Sequence, residues 1–334
     1  MCQSEILIVG IDLYSIKIIQ YVSMDKDERN DILEKSIAII KDFGKKVSKI
    51  TGKDVTFDFI NESSFEIKDK ELFLKFDKEE ELLKEIFIVK SHETYYHYTS
   101  IEAMISIVCN ESLRLSAITS MNDRNEAIFS DKLLGKTEKL TKTKIKAYNR
   151  RFVMCFNKTA DHFNQWRLYG NNGKGVAIGF RQKKDVENSI YFGLGDIIYG
   201  KELPDLIKRL TESILKVVNL RFEFRRLYLW KNFIKHEDYK YEEEVRLLYF
   251  ERDLSKYKKL EIKYYINNYG LITPYVNINL FDKSLPIELC KIVLGPNVSE
   301  KDLNKFQLRY LLDHKIPSNA IDVSVSDIKH YRST

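Results

Sequence analysis

Glycine and proline are scarce, 13 and 5 in 334 residues, which excludes collagen-like and low-complexity chains. Cysteine is scarcer still. Cys2, Cys109, Cys155 and Cys290 lie far apart with no C-x-x-C pair, so no disulfide framework is legible. Three of them sit in apolar surroundings (SIVCN, VMCFN, ELCKI) and are expected as buried, reduced thiols. No apolar run approaches about 18 residues, and no basic-then-apolar leader follows Met1, so a cytoplasmic protein with no membrane partner is expected. His92, His97, His162 and His236 show neither HxxxH nor HxH spacing, and no metal site is expected. Ser100 has no GxSxG context, and Cys109 and Cys155 lack an obvious activating neighbour.

What the chain does have suits a globular protein: 44% hydrophobic and 31% charged residues, enough for one large domain or two unequal ones. The net charge of +6 permits contact with nucleic acid without requiring it. Tyrosine and phenylalanine number 20 and 19, more than a core of this size needs, so some are expected on surfaces or lining pockets.

Patterning predicts an α+β chain in two parts: a small α/β accessory domain over 1–90 and a larger domain over 91–334. In the first part, residues 5–10 (EILIVG) read as a buried strand. A helix is expected from about Asp27 to Thr51, a strand at Val55–Phe59, a hairpin partner near Ser64–Ile67 and an acidic helix over 77–86. The opening faintly resembles a nucleotide cyclase domain, but DVTFDFINESSF stands where the Gly-Asp-Gly hairpin would be. The bland reading is an accessory or dimerising domain.

The second part opens on the stretch around which the chain is organised, Glu93–Glu126. A strand ends in His97-Tyr98-Thr99, with His97 and Tyr95 on one face and Tyr96 and Tyr98 on the other. Thr99 to Glu102 fits a capping box for a helix to Cys109, which Asn110 would end in a left-handed turn. Strands are expected at Leu113–Leu115 and Arg151–Phe156, and Asn122 or Asp123 caps a helix between them. Asp161 would cap a short helix carrying Trp166 and Tyr169. The glycines of Asn171–Gly175 would cradle phosphate or, more commonly, make a hairpin turn. A long helix is expected from about Pro204 to Phe233.

In the run KHEDYKYEEEVRLLYF, Val245, Leu247 and Tyr249 give one apolar strand face. Glu242, Glu244 and Arg246 would then share the other, about 7 Å apart at successive positions. Two carboxylates so placed repel unless Arg246 offsets the charge. An exposed strand face with an ordinary ion pair is the competing explanation. Likewise, a histidine at a strand end more often bonds a neighbouring loop than a ligand, and Trp166 with Tyr169 more often packs than stacks on a ligand.

The motifs HYTS at 97–100, LRLS at 113–116, MNDRNE at 121–126, VMCFN at 153–157, QWRLYG at 165–170, GVAIGF at 175–180, the run at 235–246 and IVLGP at 292–296 together resemble a bacterial family, domain of unknown function 2971 (DUF2971). Its layout in turn resembles the ADP-ribosyltransferase superfamily of His-Tyr-Glu type, which implies mixed and antiparallel sheets with flanking helices. The resemblance implies NAD as cofactor and substrate. It makes Glu244 the carboxylate that stabilises oxocarbenium character, Glu242 the group that orients the acceptor, and His97 a partner of a cofactor ribose. Tyr169 or Tyr98 would stack on nicotinamide, Thr99 and Asn122 would complete the pocket, and Arg246 joins the cofactor-binding set. The acceptor would be a protein or nucleic acid, or water, and a toxin or anti-phage effector would suit such chemistry. The alternative is a nucleotide- or nucleic-acid-binding domain that kept the fold and lost catalysis.

Overall fold

A computed structural model describes residues 25–89, 93–120, 129, 150–183, 192–250, 260–267, 270–316 and 321–331. The strand expected at 5–10 and the loop holding Asn122 lie outside these residues. The chain is α+β, with mixed sheets and flanking helices. No described helix is long and apolar enough to cross a membrane.

The strands that matter run in chain order: β1 (Phe65–Lys68), β2 (Glu71–Leu74), β3 (Thr94–Thr99), β4 (Ser112–Ala117), β5 (Arg151–Asn157), β6 (Val176–Gln182), β7 (Phe192–Asp196), β8 (Ile198–Tyr199), β9 (Arg221–Phe222), β10 (Ile234–Lys235), β11 (Glu244–Phe250), β12 (Lys263–Ile266), β13 (Ile272–Asn279), β14 (Ile287–Leu294) and β15 (Asp322–Val325). The large sheet has two limbs. One is β12-β13-β4-β5-β11-β7, and the other is β3-β6-β14-β15. A single registered pair, Tyr96 with Asn157, joins β3 to β5. Along β4 and β13 the apolar residues Leu113, Leu115, Val276 and Ile278 are buried in the main core. The intervening Ser112, Arg114, Ser116 and Asn277 point to the other face, as a period of two requires; that face stays accessible.

The first helix spans Lys26–Thr51 and buries Leu33, Ser36, Ile40, Phe43 and Val47 at three- and four-residue steps, with Ile32 beside them. Gly52 ends it in the left-handed region (φ 68°) and donates to the Ser48 carbonyl. Its apolar stripe packs in one core with Leu203, Ile207, Leu210 and Ile214 of the helix Glu202–Val218. Strand β9 completes the small β1-β2 sheet, and Phe87 stacks on Trp230 and tilts against Phe233. Packing therefore crosses position 90, where a domain boundary was expected.

Several expectations are corrected. Val55–Phe59 is not a strand. Val55 donates to and accepts from the Ser48 hydroxyl, and β1 pairs with β2 instead. The long helix stops at Val218, with Asn219 left-handed. Ser100, not Thr99, caps the helix Ile101–Cys109, its hydroxyl accepting from Ala103. Asn110 keeps a negative φ, and Glu111 takes the left-handed turn. Cys109 is exposed, and Cys155 and Cys290 are half-buried.

Candidate functional site

A cavity of about 820 Å³ lies where the two limbs meet, lined from both. That volume is within the range of small-molecule and cofactor sites. Its walls include His97, Tyr98 and Thr99 of β3, Arg114 and Ser116 of β4, and Cys155 of β5, with Tyr169, Lys235, Glu242 and Glu244. His97 and the acidic pair, about 145 residues apart in the chain, thus line one volume.

His97 reaches the cavity from the end of β3. Its Nδ1 lies 2.9 Å from the Cys155 carbonyl oxygen. A carbonyl only accepts, so Nδ1 carries the proton, and a neutral ring then offers Nε2 as an acceptor. Burial holds the ring below the usual histidine range, against the contrary pull of that hydrogen bond.

The acids do not sit as a plain strand face. Glu242 closes a 3₁₀ turn, Glu237–Glu242, and Glu243 is left-handed (φ 44°), so β11 begins only at Glu244. What brings Glu242 back beside Glu244 is Lys235 of β10. Its ammonium donates to Glu242 Oε2 at 2.7 Å and to Glu244 Oε2 at 2.9 Å. The other oxygen of Glu244 accepts from Arg246 Nε at 2.9 Å and pairs with Nη2 at 2.7 Å. Burial would raise the Glu244 carboxyl, but Arg246 and Lys235 outweigh it and hold the group well below the usual carboxylate range. The Cys155 thiol donates to Glu244 and is pushed well up, first by burial and then by that charge. Glu244 is 5% exposed and Glu242 24%, so Glu242 is the more open acid.

Asn157 fixes the segment before β11, donating to the Glu242 carbonyl at 2.6 Å and accepting from Thr159 N. Tyr98 is framework: its hydroxyl donates to the Thr159 carbonyl and accepts from His162 N, and its ring meets Trp166 edge-on. Tyr169, 40% exposed, is the more accessible of the two candidate stacking rings.

Arg246 is corrected. It is fully buried, is absent from the cavity walls, and spends its guanidinium on Glu244 and the Asn232 carbonyl. Its guanidinium holds an acid and does not line the cavity. Lys235 was not among the expected site residues; its sequence signal is its place at the start of the run ending in Glu-Glu-Glu-Val-Arg. The turn at Asn171–Gly175 is structural. Gly173 N donates to Trp166 and Gly170 carbonyls, and Gly175 N to Gly170, so both glycine N–H groups are used inside the turn.

Residues 165–247 match the family described as protein of unknown function, DUF2971. The matched stretch holds Tyr169, Lys235, Glu242, Glu244 and Arg246 but not His97. No curated protein and no solved structure matches the chain.

Proposed function

We propose that the cavity binds NAD and supports cleavage of its nicotinamide–ribose bond, with transfer of ADP-ribose to a macromolecule or to water. The observation that carries this reading is the convergence of the neutral His97, the exposed Tyr169 and the acids Glu242 and Glu244 on one cavity. Cleaving that bond develops positive charge at the anomeric carbon, which a nearby carboxylate stabilises more in the transition state than in the ground state. The geometry favours Glu242 for this contact, because both oxygens of Glu244 are already engaged by cations. Glu244, Lys235 and Arg246 then act as positioning residues. His97 Nε2 is suited to accept from a ribose hydroxyl. An ADP-ribosyltransferase-like arrangement, and a toxin or anti-phage role, belong to the same proposal.

The test is release of nicotinamide from NAD by the purified protein. Wild type is expected to release it, and Glu242→Gln to lose about 10²–10³-fold in kcat, the usual scale for removing one transition-state contact. Wild-type release undiminished in Glu242→Gln, Glu244→Gln and His97→Ala would sink the assignment. The charge-saturated state of Glu244 also favours a second reading, a binding domain without catalysis. Absence of release, together with salt-sensitive binding of RNA or DNA, would select it.

A further inference from the structure

Part of the cavity wall is formed by the accessible face of β4 and β13. Ser112, Arg114 and Ser116 occupy alternate positions on β4, and Asn277 is the registered partner of Arg114 on β13. All four line the cavity, as does Tyr265 of β12. The Arg114 guanidinium carbon lies 4.8 Å from the Tyr265 ring centroid and 4.7 Å from that of Tyr275. Those two rings meet edge-on at 5.6 Å, and the Tyr265 hydroxyl bonds Ser116.

An aromatic ring attracts a cation through its face. It takes no proton from the guanidinium and neutralises no charge, so the N–H donors remain for an acceptor. Among the described residues no carboxylate forms an ion pair with Arg114. The cavity's acids are held by Lys235 and Arg246. On an open sheet face an arginine between tyrosines is ordinary packing. Here the same face lines a half-open cavity, with serine hydroxyls and an amide beside the charge. A cation pre-set by two rings also loses little freedom on binding an anion.

We infer that Arg114, with Ser112, Ser116 and Asn277, forms an anion subsite for the diphosphate of a nucleotide whose other end reaches the His97–Glu242 wall. This rests on the reading that the cavity takes a nucleotide, and it gives the role first expected of Arg246 to a different arginine.

The experiment is calorimetric titration of the full chain with ADP-ribose and with inorganic diphosphate, for wild type, Arg114→Gln, Arg114→Lys and the surface control Arg181→Gln. Arg114→Gln is expected to weaken both probes by about 10–100-fold, the scale of a charge-assisted contact. Arg114→Lys is expected to fall between, and Arg181→Gln, whose guanidinium pairs with Glu288 on the surface, to match wild type. Unfolding curves check that each variant is folded, and the lysine variant carries the test if the glutamine variant is not. Wild type that binds neither probe, or Arg114 variants that bind both unchanged, would overturn the subsite. Arg114-dependent binding without nicotinamide release would keep the subsite and remove the transferase reading. Nicotinamide release with unchanged kcat/KM in Arg114→Gln would do the reverse.

Discussion

His97 keeps one proton in one place, and that has a pH consequence. Its folded pKa is lowered by burial, so near and below the ordinary value of about 6.5 the unfolded chain binds more protons than the folded one. Stability is therefore expected to fall as pH drops from about 6.5 toward the folded value. Asparagine at 97 keeps a donor near the Cys155 carbonyl but cannot titrate. In urea unfolding from pH 7 to 5, His97→Asn should show a flatter pH dependence than wild type; equal slopes would place the titration elsewhere. Glu244 acts lower. Its folded pKa is depressed, so its contribution is present above the ordinary carboxylate range and is lost as pH falls through the folded value. Lys235 couples the two acids. Lys235→Met leaves two facing carboxylates, one of them buried, without their shared cation, and removing one member of such a cluster costs about 3–5 kcal/mol. The loss should be measured at pH 7 by denaturant unfolding, and Lys235→Arg, which keeps the positive charge, should lose less. Equal losses in the two variants would mean that the side chain's packing, not its charge, is what matters.

Among the elements, glycine separates a contact requirement from a conformational one. A Cβ at Gly175 would clash with the Thr99 carbonyl oxygen, at the end of the strand that carries His97. Gly52 has φ +68° with nothing within 4 Å. Gly52→Ala is thus expected to cost about 1 kcal/mol from backbone strain alone. Gly175→Ala should cost about 1–3 kcal/mol or more from overpacking against backbone. Thermal and urea unfolding of the two variants compares them; equal losses would show that the Thr99 contact relaxes freely. The helix Lys26–Thr51 was legible in the sequence because one buried face repeats at a fixed period, strands β5 and β6 because each is a short, nearly continuous apolar run buried on both faces, and β11 by the alternation of Val245, Leu247 and Tyr249. Val55–Phe59 misled for the same reason. Val55, Phe57 and Ile60 are buried, but their segment folds against Ser48 instead of pairing in a sheet. The left-handed residues Asn219 and Glu243 were also hidden, since neither is glycine. In the site, His97 and Glu244 were legible as polar residues at strand ends. Lys235 was not, because its position depends on β10 pairing in parallel with β8, a contact between residues 35 or more apart. Arg246 misled because alternation gives a side chain's face but not what covers that face.

At the scale of the molecule, residues 25–89 share a core with later parts of the chain. The apolar face of the helix Lys26–Thr51 is covered by the helix Glu202–Val218 within the same chain. The link continues to the catalytic-candidate limb. Val89 donates to the Leu194 carbonyl on β7, a Cβ at Gly195 would stand 2.6 Å from the Phe87 carbonyl oxygen, and β7 pairs with β11, the strand that starts at Glu244. Lys53 also pairs with Asp196 at the end of β7. A fragment of residues 91–334 would expose Leu203, Ile207, Leu210 and Ile214 to water, at about 1.5–3 kcal/mol for each large side chain uncovered, against a total stability of only about 5–15 kcal/mol for typical proteins. The fragment is therefore expected to be insoluble or to unfold without a cooperative transition, as circular dichroism and dye binding to exposed apolar surface would report. Within the full chain, Ile40→Ala and Leu210→Ala should each cost about 2–5 kcal/mol. They face one shared core, so the double variant should lose less than the sum of the two single losses. A fragment that unfolds cooperatively at the temperature of the full chain, with the two losses strictly additive, would mean that the N-terminal segment folds as a unit of its own.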